Sequence, residues 1–211
     1  MITVALSGAQ ALAAPAIAAP AATLTDAIGH YQTVESYRVT IRASHSGNQE
    51  HFVYYYKKPG FVRMEFITPH AGAVLIYNPD TKRVRLWPFG FGHFPELNLS
   101  PANPLIRASG GQHVDHSDVG VLFEDMRTLQ QSGETRVLGE EVMDGRPVVH
   151  LVTTGGGTFT VAGVHRYELW LDTATRFPAK IISKDTHDAI LETVIMDQLE
   201  INKLPDTLFN P

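Results

Sequence analysis

The sequence of 211 residues contains no cysteine. This absence excludes disulfide bonds, thiolate metal sites, a catalytic cysteine and the lipid-modified cysteine that anchors a bacterial lipoprotein. Basic residues are also sparse, because 17 lysines and arginines face 22 aspartates and glutamates, and no basic run exceeds two residues. A protein that binds nucleic acid carries a basic stripe, so the sequence excludes that class too.

Familiar catalytic motifs are missing as well. The chain has no G-x-S-x-G elbow, no P-loop, no G-x-G-x-x-G after a strand and no H-E-x-x-H. One polar run, His113-Val114-Asp115-His116-Ser117-Asp118, has the residue types of a zinc site, and a metal-dependent hydrolase using His113, Asp115 and His116 is one alternative. The other is a polar loop that leads into a helix capped by Ser117, and this is the interpretation we adopt. We predict no catalytic residue, no metal and no cofactor.

Three further acids, Asp172, Asp185 and Asp188, raise the question of paired catalytic carboxylates. Each one lies where a predicted strand ends or turns, and aspartate is common at such positions because its side chain accepts backbone hydrogen bonds. We therefore interpret them as turn residues.

Long apolar runs are absent beyond the N-terminus, so no membrane-spanning helix is expected. The first 22 residues are small, apolar and uncharged, with A-x-A sites such as Ala9-Gln10-Ala11. This pattern is typical of the end of a secretory signal peptide, and the alternative is a disordered Ala/Pro segment. We expect residues 1–22 to be either a signal-peptide remnant or a disordered segment, and we expect the protein to be exported from the cytoplasm. Residues 23–211 are expected to form a single domain.

Hydrophobic periodicity predicts the elements that are present. Apolar residues recur at helical spacing over about 23–35, with Thr23 as cap, and over about 117–131. The remaining segments alternate apolar and polar residues with period two and are joined by short turns, which predicts ten or eleven antiparallel strands. The fold class is therefore α+β, with one broad apolar sheet face curved over two or more helices. If the helices do not fill that concavity, an apolar cavity remains.

Four aromatic residues lie within eight positions of the segment "LWPFGFGHFPELNLSP", residues 86–101. Its prolines and glycines predict a loop. Trp87, Phe89, Phe91 and Phe94 either form a satellite core, cover the mouth of a cavity, or stay exposed to meet a membrane or a partner protein. We favour the cavity-mouth and membrane interpretations taken together.

Several segments resemble the LolA/LolB-like superfamily of bacterial lipoprotein carriers, above all its uncharacterised outer-membrane lipoprotein-sorting relatives. They are "YYYKKPGFVRMEF", "GAVLIYNPDTKRVRLWP", "DGRPVVHLV", "YELWLDTATRFPAKIISKD" and "DQLEINKLPDTLF". The resemblance covers about residues 24–209 and implies an unclosed half-barrel whose apolar cavity holds acyl chains under helical lids. At the position of the family's lid-latching arginine this chain has Lys58, which cannot form the same planar set of donors.

The resemblance implies a periplasmic carrier for lipid acyl chains or lipoproteins. The lack of cysteine, together with the signal-like N-terminal segment, favours a soluble carrier without a lipid anchor. The resemblance also implies an inner-membrane donor, an outer-membrane acceptor and transient membrane contact. The alternative is a non-catalytic envelope sensor or interaction module, RseB-like, with a filled core. If strand alternation is regular, the cavity residues share one sheet face or the second helix, and they are Tyr37, Val39, Ile41, Phe52, Tyr54, Val62, Met64, Phe66, Leu75, Tyr77, Leu122, Met126, Leu169 and Leu171.

Overall fold

The computed structural model describes residues 23–108 and 111–209, so the predicted signal segment 1–22 lies outside the described residues. The described residues form two α-helices, α1 (Leu24–Gln32) and α2 (Val119–Ser132). Short 3-10 helices occupy Pro104–Ile106, Val114–His116 and Asp206–Leu208. The strands are β1 (Ser36–His45), β2 (Asn48–Lys57), β3 (Phe61–Thr68), β4 (Val74–Asn78), β5 (Arg83–Trp87), β6 (Leu97–Leu99), β7 (Glu134–Met143), β8 (Arg146–Thr154), β9 (Arg166–Asp172), β10 (Pro178–Lys184) and β11 (Ile190–Ile201).

All eleven strands form one antiparallel sheet in the order β6-β5-β4-β3-β2-β1-β11-β10-β9-β8-β7. Neighbours in the sheet are neighbours in the chain, except where β1 pairs with β11. The edge strands β6 and β7 do not pair with each other, so the sheet is not closed into a barrel. The predicted α+β fold with an unclosed half-barrel of ten or eleven strands is confirmed.

The two faces of the sheet are set by alternation. On β1 and β2 the register is unbroken, and it pairs Val39 with Tyr54 and Ile41 with Phe52 on the concave face. A bulge in β11 near Gln198, which has a φ of 53°, shifts the register between β1 and β11. Because the extra residue lies on β11, the alternation of β1 is preserved.

Helix α1 starts where its capping chemistry predicts. Thr23 and Asp26 exchange hydrogen bonds in a capping box, with Asp26 N donating to Thr23 Oγ1 at 3.2 Å. The helix ends at Gln32 rather than near residue 35, because the backbone turns at Thr33, although Val34 is still fully buried below it.

The predicted cap of α2 is wrong by one residue. Asp118 caps this helix, accepting a hydrogen bond from Gly120 N at 2.7 Å. Ser117 instead donates its hydroxyl proton to the carbonyl of Val114 in the preceding 3-10 turn. The predicted loop 86–101 is wrong at both ends. Leu86 and Trp87 belong to β5, and Leu97–Leu99 form β6, a three-residue edge strand that pairs with β5.

The main core lies between the concave sheet face and the two α-helices. Two small clusters lie on the convex face, one formed by Val74, Ile76 and Trp87 and the other around Trp170. Within the described part of the chain, neither α-helix has the length or the hydropathy that a membrane crossing requires.

Candidate functional site

A cavity of about 490 Å³ lies between the concave sheet face and α2. Its walls come from the sheet, from the first half of α2 and from the segment between β6 and α2. Most of the lining is apolar: Ile41, Ala43, Phe52, Tyr54, Met64, Phe66, Ala73, Leu75, Leu86, Pro88, Leu97, Leu105, Ile106, Ala108, Val114, Val119, Val121, Leu122, Tyr167, Ile181, Val194 and Met196. This volume falls within the roughly 300–1,000 Å³ usual for small-molecule pockets.

Strand pairing builds the main wall of the cavity. One row of directly paired residues crosses five strands, one residue from each: Tyr54, Met64, Leu75, Leu86 and Leu97. Because side chains alternate along a strand, directly paired residues point to the same face. The row therefore forms a continuous apolar surface on the concave side.

The structure places the predicted cavity residues in one apolar cluster. Seven of them line the cavity, and they are Ile41, Phe52, Tyr54, Met64, Phe66, Leu75 and Leu122. The other seven do not line it but are buried in the surrounding core, and they are Tyr37, Val39, Val62, Tyr77, Met126, Leu169 and Leu171. They lie where the helices and the neighbouring side chains already fill the half-barrel.

Other lining residues were not predicted from the sequence. The segment before α2 contributes Leu105 and Ile106, and β11 contributes Val194 and Met196. The alternation of β11 carried a usable signal, since Val194 and Met196 share a face. The segment before α2 has no periodicity, so its contribution depends on tertiary placement alone.

Three tyrosine hydroxyls hold the N-terminal end of α2, one from α1 and two from the sheet. Tyr31 OH donates to Asp118 Oδ1 at 2.8 Å, and Tyr37 OH accepts a hydrogen bond from Val119 N at 3.1 Å. The Tyr54 and Ser117 hydroxyls lie 3.1 Å apart. We call Tyr31, Tyr37 and Tyr54 the tyrosine anchor.

The three hydroxyl groups of the tyrosine anchor are uncharged at neutral pH. Burial raises the pKa of each of the three hydroxyls well above the usual value for tyrosine, and neighbouring Asp118 raises each one further. The three phenols are therefore neutral hydrogen-bonding groups at any physiological pH.

The aromatic loop lies at the rim but turns its rings away from the cavity. Trp87 is buried on the convex face, and Phe91 packs against it with ring centroids 4.9 Å apart. The Arg63 guanidinium lies 4.9 Å from the Phe91 ring centroid. Phe89 and Phe94 are 70% and 92% exposed. None of the four aromatic rings lines the cavity, whereas the flanking Pro88 and Leu97 do.

Lys58 contacts the end of α1. Its Nζ donates to the Gln32 carbonyl oxygen at 2.7 Å and lies 3.7 Å from Glu35 Oε1. A cation at this position neutralises the partial negative charge of the helix C-terminus.

The polar run 113–118 serves local structure. His113 precedes a 3-10 turn, Asp118 caps α2, and both residues also border the cavity. Within residues 23–108 and 111–209, no three histidine or acidic side chains are grouped so as to hold a metal ion.

The three acids considered for catalysis also have local partners. Asp172 accepts hydrogen bonds from Ala174 N and Thr175 N, each at 2.9 Å. Asp185 accepts two backbone hydrogen bonds in the next turn, and Asp188 lies 3.4 Å from Lys184 Nζ.

The sequence matches no protein-family model and no curated protein. The fold is similar to that of solved structures. An uncharacterized conserved protein of Thermus thermophilus matches with a TM-score of 0.54 and 12% identity, over 89% of this chain and 91% of that one. The lipoprotein LppX of Mycobacterium tuberculosis matches with a TM-score of 0.51 and 8% identity, over 87% and 94%.

MucB matches with a TM-score of 0.52 and 18% identity, over 88% of this chain and 62% of MucB. The chain therefore corresponds to less than two thirds of MucB. At these identities the likenesses establish the fold alone. The resemblance predicted from the sequence is confirmed at that level, because the chain has a LolA/LolB-like fold.

Proposed function

Because the chain has a LolA/LolB-like fold and an open apolar cavity, we propose that it binds lipid acyl chains, free or attached to lipoproteins. In this proposal it is an exported, periplasmic carrier that receives its cargo at one membrane and delivers it at another. The observation that supports the proposal best is the cavity of about 490 Å³ with its largely apolar wall.

Apolar burial supplies the binding energy. Each methylene transferred from water into the cavity contributes about 0.8 kcal/mol, which is close to fourfold in affinity. Such binding needs no nucleophile, acid or metal. The absence of a recognised catalytic motif in the sequence is consistent with it.

Two features outside the cavity fit a role in loading and delivery. Phe89 and Phe94 project into solvent from a loop that is fixed by Phe91 on Trp87, and we assign them to transient membrane contact. We assign Lys58 to holding the end of α1 against the sheet.

A second candidate function is an RseB-like interaction module. The likeness to MucB favours it, since MucB has been crystallised in complex with MucA(peri). The exposed edge strand β7 also favours it, because Leu138 and Val142 are solvent-exposed there and the outer edge can accept a further strand.

The experiment that tests the carrier proposal blocks the cavity. Ala43 lines the cavity, and its neighbour Ser44 is on the opposite face of β1. Ala43→Phe fills the space, whereas Ser44→Phe adds the same ring outside. Binding of a fluorescent alkyl probe with an uncharged head group is measured by titration for both variants.

We expect Ala43→Phe to weaken probe binding by at least about tenfold, since displacing two or more methylenes from the cavity costs that much. Ser44→Phe is expected to bind like the wild type. Equal binding by both variants, with both still folded, contradicts the carrier proposal and favours the interaction module.

A further inference from the structure

The cavity occupies one end of the half-barrel. On the first two strands it is lined by Ile41 and Ala43 of β1 and by Glu50, Phe52 and Tyr54 of β2. Because β1 and β2 are antiparallel, these residues lie toward the end of the sheet at which β1 ends and β2 begins. Tyr54 lies deepest, since it is the farthest of them along β2 from that end.

Aromatic side chains fill the opposite end. We call Tyr31, Tyr37, Tyr56 and Phe177 the aromatic floor, and none of these four lines the cavity. The ring centroid of Tyr37 lies 5.3 Å from that of Tyr56 and 5.1 Å from that of Phe177. The ring centroids of Tyr31 and Phe177 are 5.9 Å apart. Tyr54, which does line the cavity, stacks on Tyr37 at 5.9 Å, so the cavity ends at the floor.

Solvent exposure identifies the entrance. Among the described lining residues five are exposed, four of them polar, and they are His70, Leu105, Arg107, Gln112 and His116. The lining residues toward the floor, such as Leu75 and Val119, are buried. A ligand with one polar head and one apolar tail fits this arrangement with its head in water and its tail toward the floor.

The volume of the cavity sets how much alkyl chain it can hold. Benzene fills an apolar protein cavity of about 150 Å³, which is about 25 Å³ for each carbon. At that packing the cavity of about 490 Å³ takes about 20 carbons. This is enough for one long acyl chain and too little for two.

Room for a second chain would require the aromatic floor to move. The Tyr37 hydroxyl accepts a hydrogen bond from the buried Val119 N–H at 3.1 Å, so moving this ring leaves the N–H unpaired, at a cost of about 1–3 kcal/mol. The contacts among the buried rings are lost as well. A lipid that arrives from a bilayer gains nothing that offsets these losses, because its methylenes are already out of water there.

On these observations we propose that the cavity holds one alkyl chain of up to about 20 carbons, so that the cargo is a single-chain lipid. This proposal rests on the proposed function and narrows its cargo. A free fatty acid and a lysophospholipid each present one chain, whereas diacyl phospholipids and triacylated lipoproteins present two or three. Each further chain stays in water, at a cost of about 0.8 kcal/mol per methylene.

The test lets the protein take its ligand from lipid vesicles. Phosphatidylcholine vesicles, whose main lipid is the two-chain arm, also contain a synthetic triacylated lipopeptide, fatty acids and lysophosphatidylcholines. The acids and lysolipids have saturated chains of about 12 to 26 carbons, which bracket the capacity of the cavity. After the vesicles are sedimented, lipid bound to the protein is extracted and quantified by mass spectrometry relative to its vesicle content. The two single-chain arms distinguish a free acid from a phospholipid source.

A methylene is out of water both in the bilayer and in the cavity. We therefore expect the recovery of single-chain lipids to be nearly independent of length up to about 20 carbons, and to fall about fourfold with each further methylene. Two-chain and three-chain lipids are expected at least about tenfold below the better recovered single-chain lipid.

Matched variants tie this limit to the cavity. Met64→Ala removes three heavy atoms from the cavity wall, so the fall should begin about three carbons later. Met143→Ala removes the same atoms from the convex side, where Met143 packs against the Trp170 cluster, and it should leave the limit unchanged.

Recovery of one kind of single-chain lipid without the other supports the proposal and identifies the source of the chain. Three results overturn the proposal and leave the proposed function standing: multi-chain lipids recovered as well as single-chain ones, no fall up to the longest chain, or a fall that Met64→Ala does not move. If no lipid is recovered, the proposed function fails as well, so the two failures are distinguishable.

Discussion

Removing one hydroxyl from the tyrosine anchor should destabilise the protein measurably. In Tyr37→Phe the ring stays, but the backbone N–H of Val119 loses the acceptor that lies 3.1 Å away. Both residues are almost completely buried, at 1% and 2% exposure, so water does not replace the hydroxyl. A buried donor left unsatisfied costs about 1–3 kcal/mol of unfolding free energy.

Thermal and urea unfolding measure this cost, and each 1 kcal/mol corresponds to roughly 2–4 °C in Tm for a chain of this size. The matched control is Tyr55→Phe on the neighbouring strand, where the lost hydrogen bond goes to Glu65, a partly exposed side chain on the convex face. We expect the control to cost less than about 1 kcal/mol. If Tyr37→Phe costs no more than Tyr55→Phe, the hydroxyl does not anchor α2 and the reasoning is wrong.

Three further predictions concern the same structure. Above about pH 10 the protein should lose stability, because the tyrosine anchor stays neutral when folded but ionises when unfolded; each such tyrosine contributes about 1.4 kcal/mol per pH unit, and absorbance at 295 nm should show tyrosine ionisation coinciding with unfolding rather than preceding it. Gly133→Ala should destabilise the chain by more than about 1 kcal/mol in urea unfolding, because the new Cβ would lie 2.0 Å from a backbone oxygen. Gly29→Ala, at an exposed position of α1 with open space around the new Cβ, should stabilise it, and similar effects of both changes would contradict the packing at the end of α2. Replacing Phe89 and Phe94 together by serine should leave Tm within about 2 °C of the wild type while reducing sedimentation with lipid vesicles, and unchanged sedimentation would contradict membrane contact by this loop.

The elements that follow from local sequence were the easiest to predict. The turn between β4 and β5 is local, because Asn78 Oδ1 accepts a hydrogen bond from Asp80 N at 2.9 Å. The capping box of α1 is equally local. The cap of α2 was misplaced because Ser117 and Asp118 both have capping chemistry. The Ser117 hydroxyl is engaged by the Val114 carbonyl and by Tyr54, and Asp118 accepts the hydrogen bond from Gly120 N.

The sequence predicts which face of the sheet borders the cavity, but not which residues of that face line it. Alternation places Leu75 and Leu169 on the same concave surface, but it does not show how far along each strand the helices extend. Leu75 lines the open part, and Leu169 is covered in the filled part. That difference depends on how α1 and α2 are placed by residues distant in sequence.

The spacing of residues in β5 indicates which side of the sheet Trp87 faces, although our prediction for the aromatic loop did not use it. Trp87 lies an even number of positions from Arg83 and Arg85, so all three point to the same side of β5. The structure places the Arg85 guanidinium 4.7 Å from the Trp87 ring centroid on the convex face. Phe91 follows Trp87 to that face, and only Phe89 and Phe94 are left free for another surface.

The most direct test of the carrier account is native mass spectrometry, with lipid extraction, of the protein purified from a host that exports it. The account predicts one alkyl-chain ligand per protein molecule, and a sharp loss of that ligand in Ala43→Phe but not in Ser44→Phe. Recovery of ligand-free protein that also takes up no added alkyl chain would contradict the account.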